Sequence, residues 1–215
     1  MFEAYPKIPR WSKDIVITEK IDGTNAQIYI VASDSPERPL RDVIPVYIKE
    51  YEHDTFLVYA GSRNHWLNVS SSGDNFGFAK WVETNGEELV KLGEGRHFGE
   101  WWGLGIQRGY GLAEKRFSLF NAGRWHQENT PACCQVVPVL YSGPAYVEPT
   151  EEAARAAGSH VQDMTMDTLR RLSQTGSIAA PGYMNPEGII IYHTGSNQCY
   201  KKTFEQDGGK WSNEK

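Results

Sequence analysis

Lys20 stands in the run Glu19-Lys20-Ile21-Asp22-Gly23-Thr24-Asn25, at the end of a strand-like stretch and just before an Asp-Gly turn signal. A lysine on the tip of a strand–turn–strand unit projects from a rigid support. Its amine becomes a nucleophile once it sheds its proton, which nearby cations and removal from water make easier. Covalent catalysis of this kind replaces one hard displacement by easier ones. Taken alone, the segment reads equally well as a surface hairpin with a solvated lysine, so the chemistry requires companions elsewhere in the chain.

Several further segments carry residue types that suit phosphate chemistry. Arg63, in Gly61-Ser62-Arg63-Asn64, offers a guanidinium fork that fits phosphate and hydroxyl oxygens. Glu100 lies in Phe98-Gly99-Glu100-Trp101-Trp102-Gly103, and Phe120 in Phe117-Ser118-Leu119-Phe120-Asn121. Glu187 precedes an apolar strand in Pro186-Glu187-Gly188-Ile189-Ile190-Ile191. A single carboxylate there suits Mg²⁺, which keeps several waters and draws its other ligands from substrate phosphates. In Tyr200-Lys201-Lys202-Thr203-Phe204 two lysines are adjacent, so on a strand they point to opposite faces and only one can address a given phosphate. Singly, each has a plain structural explanation: Arg63 a surface ion pair, Glu100 a solvated acid, Phe120 a strand core residue.

Their order, from Glu19 to Phe204, resembles the covalent nucleotidyltransferases, which comprise ATP-dependent DNA and RNA ligases and mRNA capping enzymes. The extended Glu-Lys-x-x-Gly-Thr-Asn form is most similar to the type-2 RNA ligases. The resemblance implies an α+β nucleotidyltransferase (adenylyltransferase) domain of largely antiparallel sheets flanked by helices, with a nucleotide cleft between them. It implies that Lys20 takes AMP from ATP, with Mg²⁺ or Mn²⁺, then passes it to a 5′-phosphate that is sealed to a 3′-hydroxyl. Glu19 and Asn25 would line the nucleotide pocket, and Arg63 would contact the ribose and the end being joined. Glu100 would accept from a ribose hydroxyl, Phe120 would stack on adenine, and Glu187 would bind the metal directly or through water. Lys201 or Lys202 would meet the α-phosphate; Lys201 is favoured, since alignment on Phe204 puts Thr203 where a second lysine often sits. The chain departs from the family at Asn121, where Asp is usual, and in having adjacent rather than alternate lysines. The expected partners are RNA ends, including those of a nicked duplex. The alternatives are a DNA-sealing or GTP-using enzyme, or a non-catalytic nucleic-acid-binding relative. Retention of Lys20, Glu100, Glu187 and a fifth-motif lysine argues against the last.

The elements that must position these residues are mostly strands. Short β-branched and aromatic runs predict strands at Ile15–Thr18, Ala26–Ala32, Val43–Lys49, Phe56–Ala60, His97–Trp102, Phe117–Phe120, Val136–Tyr141, Gly188–Tyr192 and Cys199–Phe204. Helices are predicted over Phe76–Thr84, with Asp74 as cap and a short turn at Glu87–Leu92 after it, and over Glu151–Ala157 and Asp167–Gln174. Strands and helices do not alternate, which favours α+β over a doubly wound parallel sheet. With no repeat or linker, residues 1–215 read as a single domain. Only about a dozen residues follow Thr203, so neither an OB-fold nor a C-terminal helical domain is expected. The glycine-rich stretch Gly103–Gly111 lacks the Lys-Ser/Thr of a P-loop and is expected to be a mobile loop. Its Arg108, with Lys115 and Arg116, could meet pyrophosphate or a 5′-phosphate, or be simply solvated.

Bulk properties narrow the classes. A net charge of −5 excludes the broad basic footprint of a packaging protein, so any nucleic-acid contact must be local. Cys133, Cys134 and Cys199 form neither a disulfide framework nor a zinc spacing, and the histidines show no metal spacing, with His97 expected to be structural. The N-terminus lacks an apolar signal region, and no stretch approaches a membrane span. The reading is a reduced, monomeric protein of the cytoplasm, or a virus-encoded one acting in the host cytoplasm.

Overall fold

The computed structural model describes residues 2–10, 12–39, 42–70, 72, 74–148 and 162–205. In chain order it contains β1 (Asp14–Lys20), β2 (Thr24–Ala32), β3 (Tyr47–Glu50), β4 (Thr55–Ser62), α1 (Phe78–Thr84), α2 (Gly86–Leu89) and a 3₁₀ turn at Val90–Leu92. These are followed by β5 (Gly95–Gly103), β6 (Lys115–Leu119), β7 (Cys134–Val136), β8 (Val139–Pro144), β9 (Tyr146–Val147), β10 (Gln162–Asp163), α3 (Met164–Thr175), β11 (Gly188–His193) and β12 (Gln198–Thr203). The result is mixed α+β, dominated by antiparallel sheets. Its described residues group into two compact units, one from Met1–Ile21 with Pro138–Lys215, the other Asp22–Val137. The helix predicted at Glu151–Ala157 lies outside the described residues.

The first unit is built on a four-stranded sheet in the order β12-β11-β1-β8. Along β1 burial alternates, with Ile15, Ile17 and Glu19 facing inward, as a strand covered on one face requires. Leu169 and Leu172 of α3 pack on Ile15, Ile17 and Ile189. Burying such side chains stabilises by ~1.5–3 kcal/mol each. Helix α3 begins a turn before the predicted Asp167, because Asp163 caps it: its carboxylate accepts from the N–H of Thr165 (2.9 Å) and of Met166 (3.3 Å). Gly188, at φ 154°, opens β11. A Cβ there would lie 2.2 Å from the Lys202 carbonyl oxygen on β12, so the Glu-Gly sequence is a packing requirement of the sheet.

The second unit carries a six-stranded sheet, β3-β4-β2-β5-β6-β7, antiparallel except for the β6–β7 pair. One face, bearing Ala26, Ile28, Ile30, Val58, Ala60, Trp101 and Phe117, packs against Phe78, Ala79, Val82 and Leu89 of the helical segment. Helix α1 starts at Phe78 rather than Phe76, since Phe76 and Gly77 are left-handed at φ 51° and 82°. Asp74 still caps it, accepting from the N–H groups of Ala79 (2.7 Å) and Lys80 (3.2 Å). The predicted strand at Val136–Tyr141 is two strands: β7 pairs with β6, whereas β8 pairs with β1. The break falls at Val137-Pro138, where proline cannot donate to a ladder.

Candidate functional site

In the first unit the β1–β11–β12 register sorts the motif residues by face. Lys20 pairs with Gly188, which pairs with Thr203; Thr18 pairs with Ile190, which pairs with Lys201. Partners across a sheet share a face, so Lys20 and Lys201 stand on one side. Glu19, Ile189 and Lys202 stand on the other, which holds the core. The adjacent lysines are therefore divided, and Lys201 is the one on the Lys20 face. Lys20 Nζ pairs with Glu187 Oε2 at 2.5 Å, both side chains about four-fifths buried (23% and 17% exposed).

Glu19 differs from the pocket-lining expectation. It is 1% exposed, and its carboxylate accepts from Ser177 Oγ (2.5 Å) and from the backbone N–H groups of Ile178 (2.8 Å) and Ala179 (2.9 Å). A buried carboxylate holding these donors pins the 177–179 turn beneath the strand end that carries Lys20. It has no open side to offer a nucleotide.

The second unit gathers its candidates on the sheet face opposite its main core, beside a smaller apolar cluster of Tyr29, Val31, Leu57 and Tyr59. Asn25 pairs with Glu100, and Gln27 pairs with Phe98. Glu100 Oε1 accepts from the Gly23 N–H at 3.1 Å. Gly23 has no room for a side chain: a Cβ would lie 2.5 Å from the Trp101 carbonyl oxygen. Phe120, one residue past β6, donates its N–H to the Phe98 carbonyl at 2.9 Å and is 40% exposed, unlike a strand core residue. Arg63 is exposed, one residue beyond β4, whose last residues pair with Ala26 and Gln27.

The glycine-rich loop is anchored, in contrast to the expected mobility. Ile106 is fully buried and Tyr110 is 3% exposed, edge-on to Trp102. The Tyr110 hydroxyl accepts from the Asp22 N–H (2.8 Å), while Arg108 Nε meets Asp22 Oδ2 at 3.0 Å. Arg108 thereby positions the Asp22-Gly23 turn. Lys115 Nζ donates to the Phe76 carbonyl and Arg116 pairs with Glu114, so neither is an idle cation. Of the tryptophans, Trp101, Trp102 and Trp125 are buried in the core.

His97 is 3% exposed with Nε2 at 2.9 Å from the Gly93 carbonyl oxygen, a structural placement. Burial lowers its pKa most, the Gly93 carbonyl opposes this, and Arg124 adds to the lowering. Among the described residues no three His, Cys, Asp or Glu side chains converge on a metal site. The donor set present, one carboxylate at Glu187, fits an ion that supplies its own waters and phosphate ligands. No helix of the described residues is long and apolar enough to cross a membrane.

A match to the RNA ligase family covers residues 13–206, and the chain belongs to that family. Solved structures of Naegleria gruberi RNA ligase are similar in fold. The form with PPi aligns at TM-score 0.50 and 14% identity, covering 89% of this chain and 50% of that one. A mutant with AMP and Mn aligns at 0.49 and 14%, covering 90% and 50%; another with ATP and Mn aligns at 0.48 and 13%, covering 89% and 49%. This chain thus spans about half the length of those ligases. No curated protein matches it.

Proposed function

We propose that this chain is an ATP-dependent RNA ligase that acts through a lysyl-AMP intermediate on Lys20. The observation that carries the reading is the pairing of Lys20 with Glu187, with Lys201 on the same sheet face, in a chain of the RNA ligase family. Lys20 attacks the α-phosphorus of ATP: an N–P bond forms, the bond to pyrophosphate breaks, and Nζ loses its protons to solvent or a nearby carboxylate. An ammonium held by Glu187 cannot attack, so Glu187 must first release it. The Glu187 carboxylate would hold a divalent cation, which when bound would offset charge on the phosphates. Lys201 stabilises the same developing charge from the protein side. AMP next passes to a 5′-phosphate, and a 3′-hydroxyl displaces it to seal the strand.

The remaining residues divide between contact and support. Asn25 and Glu100 take the ribose and nearby polar groups, Phe120 stacks on adenine, and Arg63 meets the end to be joined. Glu19 acts by holding the turn beneath Lys20, not by touching nucleotide. Lys202 stands on the sheet face opposite Lys20.

Incubating the protein with α-labelled ATP or GTP and Mn²⁺, followed by denaturing electrophoresis, tests the first step. Label from ATP stays on the protein and is absent from Lys20→Ala. Label retained by that variant, or taken only from GTP, overturns the reading. Nicked duplexes with RNA or DNA on either side then test sealing, with RNA-containing nicks expected to be joined.

A further inference from the structure

Along β5 of the second unit, alternate residues share a face, and the open one presents Glu100, Phe98 and Arg96 in sequence. Successive members are two residues apart, roughly 6–7 Å. Phe98 is 46% exposed and lies across the ladder from Phe120, itself 40% exposed. The main apolar core occupies the other face, and the smaller cluster on this one, built on Tyr29, Val31, Leu57 and Tyr59, includes neither ring. The family motifs give Phe120 a partner but leave Phe98 without one.

Arg96 completes the row. Its guanidinium lies over the Tyr29 ring at 4.2 Å and near the Trp66 ring at 5.3 Å, and Nη1 donates to Gln27 Oε1 at 3.0 Å. These partners are neutral, so they orient the guanidinium and leave its charge intact. A carboxylate, an exposed ring and an oriented cation, evenly spaced on one strand, match the repeating ribose, base and phosphate of a single strand. In a protein of net charge −5, such a local device is what binding must rest on.

We infer that Phe98 is a second stacking platform, taking an unpaired RNA base beside the adenosine stacked on Phe120, with Arg96 holding the phosphate that follows. The inference rests on the proposed ligase reading for the adenosine seat alone. It makes Phe98 a specificity residue for unpaired strands, since a base inside a duplex is stacked on both faces and has none to give the ring.

The test is a fluorescence-anisotropy titration of a 5′-adenylated single-stranded RNA decamer with a blocked 3′ end against the Lys20→Ala protein, so that its AMP can be neither captured nor displaced. Adding Phe98→Ala weakens binding about tenfold, within the range for loss of one base–aromatic stack. Phe98→Trp restores affinity, while Phe98→Leu, which keeps apolar bulk but no π face, binds as poorly as alanine. Arg96→Gln lowers the slope of log affinity against log salt by about one. Leucine binding as tightly as phenylalanine overturns the inference. So does an equal loss of ATP affinity in Phe98→Ala, which would assign the ring to the adenine seat, or equal competition by blunt duplex RNA. Failure of the parent protein to take AMP would instead strike the proposed function, and the RNA titration would still be readable.

Discussion

The two sheets use strand alternation to different ends. In the first unit, alternation divides adjacent residues of like chemistry: Glu19 is buried as an anchor while Lys20 faces outward, and Lys202 lies on the core side while Lys201 shares the Lys20 face. In the second, the helices pack on one face, and the other is shared between a small apolar cluster around Tyr29 and Tyr59 and the residues Asn25, Glu100, Phe98 and Arg96. The first presents charge from the end of a strand flanked on both sides, and the second presents rings and hydrogen-bonding groups beside a small apolar cluster. A nucleophile that must be held to an in-line path gains from bracing. A surface that stacks bases needs only rigid rings in a row.

This contrast can be broken most severely at the paired lysines. Lys201→Ala is expected to slow lysyl-AMP formation about a hundredfold, and Lys202→Ala by no more than about threefold. Single-turnover label incorporation measures both, and the reverse ranking would put the wrong lysine on the Lys20 face. Next in size is Glu19→Gln, which turns amide donors toward the groups that donate to Glu19 and lowers stability by about 2–3 kcal/mol. Urea denaturation reads this; a neutral outcome would mean that the 177–179 turn is not braced by the carboxylate. In the second unit, Asp74→Ala removes the cap of α1 and costs about 1 kcal/mol, without changing adenylation in proportion.

The smallest effect is a pH dependence seated in the second unit. The pKa of His97 is depressed in the fold, chiefly by burial. Its contribution is therefore complete above the unfolded value, about 6.5, and is lost as pH falls through the lower folded value. The slope from this one group is at most about 1.4 kcal/mol per pH unit. Thermal melts of His97→Gln against the parent should converge as pH drops from about 7 to 5, and a constant gap would remove His97 as the cause.

The sequence made the strand tips legible, because the motif residues sit where β-branched runs meet Gly, Asp or Asn. It also made the division of Lys201 from Lys202 foreseeable, since a period of two needs no tertiary information. What stayed hidden depends on distant partners. The part played by Glu19 is set by Ser177, 158 residues away. Arg108 and Tyr110 read as a loose basic loop until Asp22 supplies their counterpart. The Val136–Tyr141 run reads as one strand because residue type does not reveal that its halves pair with different sheets. The exposure of Phe98 follows from which face the helices cover, and local composition does not encode that choice.

Gly23 and Gly188 are confined by backbone atoms of neighbouring strands, not by nucleotide chemistry. A homologue that had lost the ability to react with ATP would still have to keep both, or its sheets would not close. Searches that score these glycines therefore measure inheritance of architecture. A survey meant to separate working enzymes from inert descendants should instead weigh the residues to which the proposed chemistry is assigned, Lys20, Glu187 and Lys201.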